Sequence, residues 1–386
     1  MALLIAMSAI GPLSLNILVP AVPGLAVTLA ADTELVQLTV SLYLLGLAAC
    51  QLAVGPLSDR FGRRPVTLAG LALTAAASLA AVSATTIGTL IVLRTVQSLG
   101  AATGLAISRA IIRDLYHRDR AAAMIGYVTM AMVVAPMIAP LIGGVLDTAF
   151  GWQAIFVFVA LASAATLAAA ALALPETRAL TASGSGRIRY ADEARALATS
   201  PTFIGYALAA AFNSATFFAF VGGAPHVVVT IMGRTSAEYG IWFAVGAFSY
   251  MAGNYGAARW SQRLGVDTMV RLGAMITIMG AIAEVLLAMV APEYGPGTVF
   301  LPQMAISFGS GLLLPNALAG AVSVRPQAAG TASGVTGFLQ MGIGAAAAQA
   351  MSHLLAGAST AFPMAIVMLA LALATMTALV GLTGRG

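Results

Sequence analysis

Residues 66–93 run from one apolar, helix-length stretch into the next without a charged side chain, and comparable runs recur along the chain. A membrane-crossing helix needs ~20 consecutive, mostly apolar residues. Soluble domains carry about 25% charged residues, whereas this chain of 386 has 8% charged and 60% apolar residues and a mean hydropathy of +0.96. Twelve spans allow roughly 32 residues for each span with its loop, which leaves no room for a sizeable water-soluble domain. Disorder needs low hydrophobicity, and a β-barrel needs strict polar/apolar alternation. Neither pattern is present, so the chain reads as an all-α polytopic membrane protein.

Breaking the apolar runs at charged and Pro/Gly-rich clusters predicts spans near 3–25, 35–56, 66–84, 86–110, 122–146 and 152–174. Six more follow near 202–225, 237–257, 269–290, 298–321, 330–355 and 361–381. Residues 1–174 and 201–386 form two six-helix halves, joined by a polar linker at 175–200 that holds a short helix at its end. The net charge is +5, and every one of the 18 basic residues is Arg. Arg60, Arg63, Arg64, Arg109, Arg113, Arg118, Arg120, the linker arginines, Arg259, Arg263, Arg271, Arg325 and Arg385 fall on one side. The opposite side holds Arg234 against Asp32, Glu34, Asp147, Glu238 and Glu293. The positive-inside rule places both termini and the linker in the cytoplasm. Basic balance of this kind marks cytoplasmic loops rather than nucleic-acid binding. Cys50 stands alone, which excludes an internal disulfide, and Met1–Met7 lead into the first span rather than a cleaved signal.

The halves echo each other. Ser58-Asp59-Arg60-Phe61-Gly62 and Ser261-Gln262-Arg263-Leu264-Gly265 occupy equivalent places, keeping Ser, Arg, a large apolar residue and Gly in register. A parallel repeat of this sort is the arrangement secondary transporters use for alternating access. Gly55-Pro56-Leu57-Ser58-Asp59-Arg60-Phe61-Gly62-Arg63-Arg64-Pro65 resembles the signature loop of the major facilitator superfamily. Its Gly55 and Gly62 permit a tight turn and close backbone approach. Asp59 at a helix end can pair with an Arg or cap a neighbouring helix, forming with Arg60, Arg63 and Arg64 a charged latch; the alternative is that the arginines only anchor topology.

Three further segments resemble the bicyclomycin/chloramphenicol-resistance branch of that superfamily. Leu93-Arg94-Thr95-Val96-Gln97 begins the fourth span as its Arg motif does. Ala139-Pro140-Leu141-Ile142-Gly143-Gly144, preceded by Pro136, is similar to the antiporter motif of the fifth span. Leu313-Leu314-Pro315-Asn316-Ala317 and Gly337-Phe338-Leu339-Gln340 complete the likeness. The resemblance implies twelve helices, proton-coupled export of several drugs and a bacterial inner-membrane location. One position departs: Asn16 and Leu18 stand where that family typically has Asp and, two residues on, Tyr. Asn16 cannot carry a proton, so coupling, if present, uses another group.

Arg94 and Glu284 are the charges well inside apolar spans. A central Arg costs ~2.5–3.5 kcal/mol on insertion scales and needs a cavity or a partner. Arg94 either ties neighbouring helices through their carbonyls or lines the substrate cavity, as the resemblance implies for the fourth span. Hydrocarbon favours the neutral form of a carboxyl, which suits Glu284 to proton carriage; a structural role in a supporting ninth span is the alternative. Asn16, Tyr43, Gln97, Asn213, Asn316 and Gln340 are neutral polar candidates for interhelical bonds or ligand contacts. Phe217, with Phe212, Phe218 and Phe220, either packs or stacks on a flat apolar ligand.

No P-loop, metalloprotease pair, nucleophile elbow or Cys/His metal cluster occurs in the sequence. The chain reads as no enzyme, with no metal and no cofactor, and ATP has no site from which to drive it directly. Its expected partners are the bilayer, a small-molecule substrate and protons, and it is expected to be a monomer. The alternatives are a narrow-specificity metabolite exporter, an uncoupled facilitator, or an enzyme or receptor on the same fold, against which the shortness of 175–200 argues.

Overall fold

A computed structural model describes residues 1–115, 118–177, 195–290, 295–325 and 328–383. Every regular element among them is helical. The order is α1 (Ala2–Asn16), a 3₁₀ turn (Val19–Ala21), α2 (Val22–Thr28), α3 (Thr33–Phe61), α4 (Arg63–Ala81), α5 (Ile87–Leu115), α6 (Arg118–Phe150) and α7 (Gln153–Ala173). Then come α8 (Pro201–Pro225), a π-helical turn (His226–Ile231), α9 (Ser236–Leu264), α10 (Val266–Val290), α11 (Gly297–Ser323), α12 (Ala329–Leu355) and α13 (Phe362–Thr383). Among the described residues nine helical stretches are long and apolar enough to cross a membrane, the first being α1 and α2 together. The other long helices are α6, α9 and α12. In α6 the apolar portion is Val134–Phe150.

Proline shapes several of these rods because it cannot donate to the carbonyl four residues back. Pro12 sits inside α1, Pro20 and Pro23 break the first rod into three pieces, Pro136 and Pro140 lie inside α6, and Pro225 ends α8 at the π turn.

The signature segment corrects its reading as a loop. Gly55–Phe61 is the last part of α3, and the chain turns at Gly62 alone, whose φ is +100°. A 29-residue helix is about 44 Å long at 1.5 Å per residue, against a hydrocarbon core of ≈ 30 Å. Its last turns therefore continue into the polar zone without unwinding. Gly55 is an ordinary helical residue with open space where a side chain would stand. At the linker's end, residues 195–198 form a helical turn with Leu197 buried.

The chain divides into two compact units, Met1–Ala182 with Thr235–Ile241, and Ser183–Arg234 with Trp242–Gly386. In the first, α3 and α4 pack along α5, α7 packs on α4, and α1 packs on α5 and α6. In the second, α8 packs against α11, α12 and α13, and α10 packs against α11 and α13. A core of Leu197, Phe203, Ala207, Val270, Leu313 and Ala317 lies in the second unit.

Both units contain the same crossing. A Cβ on Gly100 of α5 would run into the Gly70 carbonyl and Thr74 of α4; a Cβ on Gly309 of α11 would run into the Gly273 carbonyl and Thr277 of α10. Thr74 and Thr277 each return their hydroxyl to those carbonyls, Gly70 O and Gly273 O, at 2.9 Å. Missing side chains let the helix backbones approach, which is how helices associate where lipid removes the hydrophobic drive. The helices ahead of these crossings end alike. α3 and α9 both stop at a positive-φ glycine, Gly62 and Gly265, whose N–H donates to Ser58 O and Ser261 O.

Candidate functional site

In the first unit the polar interior gathers on Arg94, which is 1% exposed. Its Nη1 donates to Ser14 O of α1 at 3.0 Å and to Gln97 Oε1 at 2.5 Å, and its Nε donates to Thr39 O of α3 at 3.4 Å. Gln97 Nε2 passes the network to Ser78 Oγ of α4 at 2.6 Å. The guanidinium carbon lies 4.2 Å from the centre of the Tyr43 ring and 6.0 Å from that of Phe156. The Tyr43 hydroxyl donates to Gly11 O at 3.2 Å. One cation thus ties α1, α3, α4 and α5 through carbonyls, an amide and a ring face. Among the described residues Nη2 has no partner. A planar fork with five donors meets several acceptors at once; an ammonium cannot.

Asn16 is buried, and its Nδ2 donates to Pro12 O on its own helix at 2.9 Å, while Oδ1 has no partner among the described residues. Asn316 likewise bonds Leu312 O in its own helix at 2.8 Å. These two correct the expectation of interhelical bonds: each amide N–H is turned onto the carbonyl four residues back in its own helix. Asn213 and Gln340 do cross between helices. Ser310 Oγ donates to Asn213 Oδ1 at 3.0 Å, and Ser214 Oγ donates to Gln340 Oε1 at 3.1 Å, joining α8 to α11 and α12. Beside them Phe217 meets Phe218 at 5.3 Å and Phe243 at 6.3 Å edge to face, and Phe220 meets Phe300 at 5.6 Å. Glu284 in α10 is 1% exposed, and neither carboxyl oxygen has a hydrogen-bond partner among the described residues.

At the end of α3 the charges meet groups that the sequence reading passed over. The N-terminus of α4 presents unpaired backbone N–H groups and a positive dipole end. Glu176, just after α7, fills it: Oε1 accepts from Arg63 N at 2.9 Å and Oε2 from Arg64 N at 3.1 Å. Arg63 Nε pairs with Asp114 of α5 at 3.1 Å, its Nη1 donates to Ser58 Oγ at 2.5 Å, and Arg64 Nη2 donates to Ala171 O at 2.7 Å. Arg60 is exposed and lies over the Phe61 ring. The side chain of Asp59 lies outside the described residues. Asp114 follows Arg113, and Glu176 sits in Pro175-Glu176-Thr177-Arg178. A carboxylate directly after an apolar span was the available signal for both.

Gly143 and Gly144 of α6 mark close approaches within the first unit. A Cβ on Gly143 would strike the Ile17 carbonyl, and one on Gly144 would strike that of Ser236. Ser236 Oγ donates to Pro20 O at 3.0 Å, beside the same turn. Pro140 and Pro136 lie about one and two turns earlier in α6.

Helical rods of membrane-crossing length, a repeated glycine-backed crossing and buried polar clusters define a multi-pass helical membrane protein. The Major Facilitator Superfamily pattern matches residues 4–349, and the chain belongs to that superfamily, a family of transporters and not of enzymes. It is 29% identical over 98% of its length to the bicyclomycin resistance protein homolog of Haemophilus influenzae, covering 94% of that protein. It is 30% identical over 88% of its length to multidrug resistance protein D of Escherichia coli, covering 84% of it. In fold it is similar to a crystal structure of a POT family transporter in complex with 5-aminolevulinic acid, with a TM-score of 0.77, 12% identity and coverage of 98% and 94% of the two chains. The chain is therefore a secondary transporter related to drug-resistance efflux proteins, with a small-molecule substrate and the bilayer as its partners.

Proposed function

We propose that this protein exports small, largely apolar molecules, several antibiotics among them, from the bacterial cytoplasm in exchange for protons. It works by alternating access, as a monomer, in the cytoplasmic membrane with both termini inside. Residues 1–174 and 201–386 act as its two moving halves and 175–200 as the linker. The observation that carries the reading is the interior of the second unit. Phe217, Phe218, Phe220, Phe243 and Phe300 form one ring cluster, edge to face except for the tilted Phe220–Phe243 pair, next to the Asn213 and Gln340 amides. Four of these rings are buried and Phe217 is part-exposed, so Phe217 is the ring that meets a flat apolar molecule, backed by the others and oriented by the amides. The names of the two drug-resistance relatives support the same substrate class.

In the first unit Arg94 and Gln97, with Asn16 and Tyr43 beside them, are the polar candidates of this reading for substrate or proton contact. The Glu176 and Asp114 contacts to Arg63 and Arg64 hold the end of α3 against α4 and release it when the halves change state. The test is export of bicyclomycin and chloramphenicol from expressing cells, followed by uptake into everted vesicles under an imposed pH gradient. Lower drug accumulation that collapses with the pH gradient is the expected result. Accumulation indifferent to expression sinks the drug reading.

A second reading rests on Asn16. An amide in place of the first-span acid cannot take a proton, and an uncoupled facilitator needs none. Vesicle transport that runs only down its own gradient and ignores pH favours that reading.

A further inference from the structure

α10 buries one stripe, in which Gly273, Thr277, Gly280 and Glu284 recur at helical spacing. Contacts with α11 fix the antiparallel register. A Cβ on Gly273 would meet Gly309 O and Leu313, and one on Gly280 would meet Ile306 and Ala305. One further turn along α10 is one turn back along α11, and this brings Glu284 level with Pro302 and Gln303.

The first unit supports the register. The offset that carries Gly70 and Thr74 onto Gly273 and Thr277 carries Ala81 onto Glu284. The one that carries Gly100 onto Gly309 carries Arg94 onto Gln303. Where the first unit holds a buried cation beside an alanine, the second holds an amide beside a carboxyl.

Glu284 and Gln303 are both buried, and both carboxyl oxygens and Gln303 Oε1 lack a partner among the described residues. At one level of the two helices, the carboxyl and the Gln303 carbonyl oxygen can become a bonded pair when the carboxyl holds a proton. When it does not, rotation of the amide offers its N–H instead. No charged or titratable side chain occurs in α11 or α13, the helices packed on α10. On α10 itself Asp267 and Arg271 lie about 20 Å or more away at ~1.5 Å per residue, at the end where α9 also approaches through Ala257 and Met269. Among the described residues of α10, α11 and α13 an ionised carboxylate there meets no countercharge at close range, and that state is costly in hydrocarbon. Gln303 shares a face of α11 with Ser310: its Nε2 donates to Ser307 Oγ at 3.4 Å, and Ser310 donates to Asn213 of α8. A polar stripe thus runs from Glu284 towards the Asn213 amide of α8.

We propose that Glu284 is the carboxyl that carries the exchanged proton, and that Gln303, Ser307 and Ser310 connect it to Asn213 on α8. One proton joins a carboxylate oxygen from water on the outer side, and the same proton leaves to water on the inner side; no other bond changes. The inference rests on the antiport reading and names its titrating group.

Two measurements on the full-length protein in proteoliposomes test it. Infrared difference spectra across neutral pH, with no substrate present, should show a protonated-carboxyl band that Glu284→Gln removes and Glu284→Asp moves along the pH axis. A band unaltered by Glu284→Gln, or no such band, overturns the proposal. Chloramphenicol accumulation driven by an acid interior should fall much further in Glu284→Gln than chloramphenicol counterflow does, and Gln303→Leu should slow the driven flux selectively. Equal loss of both fluxes in Glu284→Gln also overturns it, since the residue would then serve carriage rather than coupling. Wild-type accumulation that ignores the imposed pH gradient rejects the antiport reading instead, whatever the infrared band does.

Discussion

Arg94 lies face-on to Tyr43, 4.2 Å from the ring centre, while the Tyr43 hydroxyl holds the carbonyl of Gly11. Ring and hydroxyl therefore separate by substitution. Tyr43→Phe keeps the ring and loses one neutral hydrogen bond, about 1 kcal/mol. Tyr43→Leu removes the π-face as well, roughly a further 2 kcal/mol for a desolvated cation. Thermal unfolding in detergent should rank wild type above Phe above Leu. Arg94→Lys should transport poorly, because one ammonium cannot serve Ser14 O, Thr39 O and Gln97 together. Normal flux in the Lys variant would remove the fork argument.

Glu176 caps α4 through two backbone N–H groups. Glu176→Ala should cost about 1 kcal/mol, the usual loss for a helix N-terminal cap. Glu176→Gln retains an acceptor but loses its charge, and should fall between. Differential scanning fluorimetry reads the stability. Efflux falling in the same order would tie this contact to gating, and efflux indifferent to it would leave Glu176 a cap alone.

Gly143 has no room for a methyl because the obstacle is the Ile17 backbone rather than a movable side chain. Gly143→Ala should destabilise by about 1–3 kcal/mol through overpacking. Gly246→Ala is the matched control: it is helical and meets nothing within 4 Å, so it should be neutral or stabilise by a few tenths up to ~1 kcal/mol. Similar unfolding temperatures for the two variants would contradict the close approach.

Asn16→Asp puts a carboxylate near the Arg94 network, two residues from the Ser14 carbonyl that Arg94 holds. Export should shift towards cationic dyes relative to neutral drugs. A competition assay with ethidium against chloramphenicol measures that shift. An unaltered ratio would place Asn16 off the substrate path.

The sequence alone determined the class and the scaffold. Charge-free runs of span length admit no other solution than helices in lipid, since every backbone group must bond internally there. Arginine placement, the paired Ser-x-Arg-x-Gly segments and the signature residues carry the superfamily in the sequence itself. Tertiary structure decided what each polar residue touches. Asn16 and Asn213 are the same side chain in similar apolar surroundings, yet one bonds its own helix and the other a serine on α11. Helix rotation and crossing distance settle that difference, and neither is encoded in a local pattern. Folding brings Asp114 to Arg63, and Glu176 to the N–H groups of Arg63 and Arg64, across 51 and 112–113 residues of sequence. The match of Gly70, Thr74 and Gly100 with Gly273, Thr277 and Gly309 emerged the same way, because helix register depends on which missing side chain lets which backbone approach.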